Sequence, residues 1–131
     1  MQAFQINSID DLEKLSHQVR WQYFEKLAAL VFEKNGFDAR QNVVVKFGST
    51  RRQFDVLAER YNQIFAVECK KQQKLSVSST IDKHTERCLL LSESLKKEVR
   101  PLIVTLCGEI LEAEIPVVPL IKLNAFILEN I

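Results

Sequence analysis

The segment Gln53–Lys74 restricts the fold more than any other part of the chain. Phe54, Val56, Leu57, Ile64, Phe65 and Val67 are strand formers, and Tyr61-Asn62 separates the two runs. A two-residue hairpin loop at Tyr61-Asn62 pairs Arg60 with Gln63, Glu59 with Ile64, Leu57 with Ala66, and Asp55 with Glu68. Cross-strand partners stand about 5 Å apart at Cβ, so two carboxylates meet on one side of the sheet. Lys70, two residues beyond Glu68, lies on that same face. The other face, with Phe54, Val56, Ala58, Phe65, Val67 and Cys69, is wholly apolar and is expected to be core.

Facing carboxylates repel, and a buried charge is costly unless it is paired or binds a metal. A divalent cation would resolve the repulsion, and oxygen donors favour magnesium, with manganese as the substitute. The plainer reading is an edge hairpin with a solvated Asp, Glu and Lys. A register slip of one residue would separate the faces.

The rest of the chain supplies context. Its 131 residues suit one domain with a single core, and 47% hydrophobic with 27% charged residues describe an ordinary globular composition. Cys69, Cys88 and Cys107 are odd in number and lack a C-x-x-C pair, which argues against a disulfide scaffold or zinc site and for a reducing cytoplasm. No apolar run has the length of a membrane span, and Met1 is not followed by a signal-peptide pattern, so no membrane partner is expected. The net charge is only +1, but its distribution is uneven. Arg40, Lys46, Arg51 and Arg52 precede the hairpin's carboxylates, and Lys70, Lys71 and Lys74 follow. The rest of the chain is net negative, with 11 basic against 17 acidic residues. A phosphodiester backbone is drawn to such a place.

Ser8-Ile9-Asp10-Asp11 has capping-box form and predicts a short helix to about His17. Arg20 to Lys34 carries a helical stripe of Phe24, Leu27, Ala28, Leu30 and Val31, ended by Asn35-Gly36 with Gly36 at C′. Glu25 shares a face with Trp21, Ala28, Ala29 and Phe32, an awkward place for an unpaired carboxylate. Val43-Val44-Val45 is a short strand, and Gly48-Ser49-Thr50-Arg51-Arg52 reads as a loop suited to phosphate contact. Ser79-Thr80-Ile81-Asp82 caps a second long helix to about Lys97. Ile81, Thr85, Cys88, Leu89, Leu91 and Leu95 form its buried side. Lys83, His84 and Arg87 fall elsewhere, with His84 read as a surface residue rather than a general base. Pro101–Leu106 is a buried strand, parallel to Ile64–Lys70 through a β-α-β crossover. Glu109 to Glu114 is open between helix and strand. Ile115 to Leu120, with Pro116 and Pro119, is at most a short edge strand. Leu120–Asn130 is a last helix with Leu123, Phe126, Ile127 and Ile131 on its apolar side.

The Asp55, Glu68-Cys69-Lys70 pattern across a hairpin resembles the PD-(D/E)XK nucleases, the restriction-endonuclease-like superfamily, although Phe54 stands where the motif has proline. The element order agrees with that superfamily's α/β fold: an αβββαβ core with a mixed central sheet flanked by helices. The resemblance is nearest to archaeal Holliday-junction resolvases and Mrr-type restriction domains. It implies a magnesium-dependent endonuclease, structure-specific or Mrr-like, that hydrolyses phosphodiester bonds in DNA. A junction-resolving homodimer and a non-catalytic DNA-binding or assembly subunit are the alternatives. Asp55, Glu68 and the Cys69 carbonyl would hold the metal, Lys70 would serve catalysis, and Glu25 would complete the site. Ser49, Thr50, Arg51, Arg52, Lys71, Gln72, Gln73 and Lys74 are the candidate DNA contacts. A homodimer is expected, with a specificity partner as a further possibility. The expected layout is one nuclease-like domain: a helical extension over 1–18, the core over 19–106, and a closing strand and helix over 107–131.

Overall fold

The computed structural model describes residues 23–70, 77–106 and 110–130. The helix expected before His17, Trp21, and the cations Lys71 and Lys74 with Gln72 and Gln73 lie outside these residues.

Helix α1 runs through 23–34. Phe24, Ala28, Ala29 and Phe32 are buried on one side, with Glu25 among them at 6% exposure. Gly36 (φ 85) ends the helix. Its N–H donates to the Glu33 carbonyl and the Phe37 N–H to that of Phe32, the pairing expected around a C′ glycine. The chain then enters β1 (Asp38–Phe47), β2 (Thr50–Arg60) and β3 (Gln63–Lys70). Helix α2 (Val77–Leu95) leads to β4 (Glu98–Thr105), and β5 (Leu111–Glu112), β6 (Pro116–Pro119) and α3 (Leu120–Asn130) complete the order.

One six-stranded mixed sheet results, in the order β1-β2-β3-β4-β6-β5. The Tyr61-Asn62 hairpin has the expected register, from Arg60↔Gln63 through Leu57↔Ala66 to Val56↔Val67. β3 and β4 run parallel over their full lengths, from Gln63↔Glu98 to Lys70↔Thr105. The α2 crossover between them places that helix on one face of the sheet, against Phe54 and Ala66 through Cys88 and Leu91. α1 and α3 cover the other face, where Phe24, Ala28, Phe32, Leu123 and Ile127 pack on Val56, Ala58, Phe65, Val67 and Cys69. This is the α/β architecture with a mixed sheet flanked by helices that the sequence implies.

Six expectations need correction. Strand β1 is ten residues long rather than a short Val43–Val45 run. Gly48-Ser49 alone forms the reversal, so Thr50, Arg51 and Arg52 belong to β2 and not to a loop. Helix α2 already includes Val77, so Ser79–Asp82 lies within the helix rather than at its start. Its buried side follows Ile81, His84, Cys88 and Leu91. Leu89 (59% exposed) and Leu95 (45% exposed) therefore turn to solvent, Leu89 being one residue and about 100° out of phase with Cys88. Strand β6 is not an edge: it lies between β4 and the two-residue β5, with its prolines at its two ends.

The last correction is at Phe54. Strict alternation places it with Val56 and Ala58, yet it packs under α2 with Ala66 and Leu57. The alternation of β2 thus breaks at Asp55. Opposite the break, Asn42 adopts φ 52, and it drops out of the ladder between Gln41↔Val56 and Val43↔Phe54. Asn tolerates the left-handed region better than most residues, whereas a β-branched side chain does not. Asn42→Val should therefore cost about 1–2 kcal/mol of stability, while Asn42→Gly should stay within a few tenths of a kcal/mol of the parent. Urea denaturation midpoints measure both, and an unchanged Asn42→Val midpoint would contradict the role given to this backbone.

Candidate active site

Two adjoining strands part company at the site. The register of β2 with β3 stops at Val56↔Val67, one step short of Asp55 and Glu68, while β3 continues beside β4 to Lys70↔Thr105. In the gap, Asp55 Oδ2 accepts the Cys69 N–H at 2.8 Å. A carboxylate thus takes the place of a strand partner. The N–H and C=O of one strand residue point to the same side, so the Cys69 carbonyl also faces this gap.

The two carboxylates are close enough to share a hydrogen bond. Burial raises the Asp55 pKa from its ordinary value, against the lowering pull of the Cys69 amide, Arg87, Lys70 and the bond to Glu68. Burial likewise raises that of Glu68, helped by the Asp55 charge and more weakly by Glu25, and opposed by Arg87 and Lys70. Cys69 is 1% exposed, and burial with three nearby carboxylates holds its thiol protonated. Glu25 thus reaches the site from α1, as its position in the helix suggests. Lys70 is half-buried beside both acids.

Two residues of α2 join them in a way the sequence does not announce. Arg87 Nη2 lies 3.1 Å from Glu68 Oε2, and Nη1 donates to the Gln53 carbonyl at 3.3 Å. His84 is fully buried, with Nε2 2.7 Å from the Ala66 carbonyl oxygen. It is therefore not a surface residue. Burial lowers its pKa to about 4, which keeps it neutral. The available signal was the phase of α2: His84 lies three residues after Ile81 and four before Cys88, and Arg87 is three beyond His84.

The arm formed by β1 and β2 carries the remaining described candidates. Arg51 is exposed and stands opposite exposed Lys46 in the register. Like charges directly opposite destabilise a sheet, so this pair favours an anionic partner. Ser49 is exposed at the reversal and Thr50 is half-buried. Arg52 is occupied otherwise, 2.7 Å from Glu86 on α2. Residues 50–54 of this arm extend beyond the last β2–β3 pair, at the end of the hairpin where the carboxylates lie.

Among the described residues, no three or more His, Cys, Asp and Glu side chains gather with metal-ligand geometry. What is present is a pair of hard oxygen donors, Asp55 and Glu68, with a backbone carbonyl beside them. That donor chemistry fits a hard divalent cation and not zinc. None of the described helices is long and apolar enough to cross a membrane.

A family model described as restriction endonuclease, Mrr_cat, matches residues 16–105. The chain is 28% identical over 116 residues to an uncharacterised protein of Archaeoglobus fulgidus, spanning 83% of this chain and 90% of that one. Among solved structures, protein VC1899 from Vibrio cholerae superposes with a TM-score of 0.59 at 17% identity over 80% of this chain. Protein AF1548, of unknown function, superposes with a TM-score of 0.50 at 24% identity over 63% of this chain. This chain spans only 31% and 46% of those two structures, and the likeness is one of fold.

The raised acids set a pH dependence. A carboxyl whose folded pKa lies above its unfolded value binds its proton more tightly when folded. Its contribution is full below the unfolded value, 3.8 for Asp55, and is lost as pH rises through the folded pKa. His84 acts oppositely: its contribution is present above 6.5 and lost as pH falls toward 4. Comparing Asp55→Asn with the parent cancels the His84 effect. In chelator, Asp55→Asn should melt above the parent at pH 7, with the difference vanishing as pH falls below about 4. A lower melting temperature at neutral pH would show that the carboxylate stabilises the ion-free fold.

Proposed function

The chain belongs to the restriction endonuclease family, and from that premise we propose that it is a metal-dependent endonuclease hydrolysing phosphodiester bonds in DNA. The observation that carries this reading is the half-buried Asp55–Glu68 pair at the parting of β2 and β3, with Lys70 beside it. Repulsion of this kind persists only where something balances it, and a divalent cation does so while serving chemistry. Asp55, Glu68 and the Cys69 carbonyl would hold magnesium, or manganese in its place. The ion would polarise a phosphoryl oxygen and acidify a bound water.

The chain's own residues do the rest. Lys70 orients the attacking water and offsets the charge that builds on the phosphate. Glu25, buried beside the pair, completes the acidic side of the site. Arg51, Thr50 and Ser49 on the arm position the DNA backbone, joined by Lys71, Gln72 and Lys74 beyond β3. Arg52 contributes only after its pair with Glu86 opens. The chain would act as a homodimer in the cytoplasm, where the buried free thiols of Cys69 and Cys88 suit a reducing environment. A partner protein could supply sequence specificity.

One observation favours a second reading, a non-catalytic DNA-binding or assembly subunit. Arg87 already sits on Glu68, and a permanent ion pair would leave no place for a metal. A labelled panel separates the readings: four-way junction, duplex, flap, single-stranded DNA and RNA, each with and without magnesium. Magnesium-dependent cleavage of at least one DNA should fall about 10²–10³-fold in Lys70→Ala and disappear in Asp55→Ala. Symmetric nicking of the junction identifies a resolvase. DNA binding without cleavage of any member supports the second reading.

A further inference from the structure

Arg87 reaches the acids from the opposite side of the sheet to Glu25. Its side chain is 18% exposed and that of Glu68 13%, so the ion pair is largely out of water. The guanidinium is nevertheless poorly satisfied. Among the described residues it has one contact of 3.1 Å to Glu68 and a long one of 3.3 Å to Gln53, and its buried Nε has no hydrogen-bond partner. A guanidinium built in as a permanent bridge matches a carboxylate with two parallel bonds and leaves no donor orphaned. This one is held mainly by charge.

We propose that Arg87 is the resident cation of the site, a displaceable counter-ion that neutralises Glu68 until a divalent metal takes the carboxylates. The inference rests on reading Asp55 and Glu68 as metal ligands. Two half-buried acids side by side are unfavourable without cations, and Arg87 is the cation in direct contact with Glu68 in the ion-free protein. Once a divalent ion is present, two cations compete for Glu68 and repel one another. Coupling of this kind is reciprocal: as the metal weakens the hold of Arg87, Arg87 weakens the hold on the metal. The released guanidinium is then free at the rim of the site.

The competition gives a direction that a purely structural arginine does not. If Arg87 merely propped Glu68 in place, its loss would loosen a ligand and weaken metal binding. As a competitor, its loss must strengthen it. The test is calorimetric and thermal titration of the full chain with magnesium and manganese, without DNA, in the parent, Arg87→Met and Glu68→Gln. Arg87→Met should melt below the parent in chelator, show a larger rise in melting temperature on adding the ion, and bind it about fivefold more tightly or better. Glu68→Gln should lose the response. Equal or weaker ion binding in Arg87→Met overturns the inference and leaves the metal site standing. No ion binding in either the parent or Arg87→Met removes the metal site itself, and the inference with it.

Should Arg87→Met fail to fold, the parent protein decides. The nitrogen resonance of the Arg87 Nε–H should move as magnesium saturates the site. A resonance that stays fixed at saturation overturns the proposal.

Discussion

The hydrogen bond from the Cys69 N–H to Asp55 Oδ2, 2.8 Å long, is where the sheet gives up regularity and gains chemistry. A continued β2–β3 ladder would have satisfied that amide with backbone and left no opening. The side-chain bond keeps the amide paired while the strands separate, and it fixes one oxygen of Asp55. Glu68 and Lys70 stand on either side of Cys69 and reach the same opening because β3 alternates. The parallel pairing of β3 with β4, which runs on to Lys70↔Thr105, keeps this end of the strand in place after β2 has left it. Helices on both faces close the opening, with Glu25 entering from α1 and Arg87 from α2.

Charge in this opening is balanced on a small scale. Three acids, Asp55, Glu68 and Glu25, face two described cations, Lys70 and Arg87. Burial makes each carboxylate expensive, and the mutual repulsion of Asp55 and Glu68 adds to that cost. The fold retains them because the sheet and both helices bury enough apolar surface elsewhere, in the cluster around Phe32, Phe65 and Leu102 above all.

Much of this was legible in the sequence because a two-residue loop fixes hairpin register. Tyr61-Asn62 sets the pairs from Arg60↔Gln63 to Val56↔Val67; the ladder ends one step short of the expected Asp55–Glu68 pair, and the Cys69 N–H on Asp55 holds that acid beside β3 instead. Glu25 was legible from helical phase, as an acid in a stripe of Ala28, Ala29 and Phe32. The misplacements have physical causes. Phe54 changes sides where the alternation of β2 breaks at Asp55, opposite the left-handed Asn42, a local departure that alternation does not reveal. The sequence pattern hides the places of His84 and Arg87 because α2 is amphipathic in a mixed way, with polar residues on its buried stripe and Leu89 outside it. A buried histidine is stable only because the Ala66 carbonyl awaits it, and that partner is 18 residues away in sequence. β6 reads as an edge in the sequence because the strand that covers it, Leu111–Glu112, is too short to show a pattern.

The central claim is that Asp55 and Glu68 together hold a divalent ion. Anomalous diffraction from crystals soaked in manganese tests it most directly. The account predicts a single strong anomalous peak between the two carboxylates, within bonding distance of the Cys69 carbonyl oxygen, with Arg87 moved away from Glu68. No peak there at saturating manganese, with the Arg87–Glu68 pair intact, would contradict it.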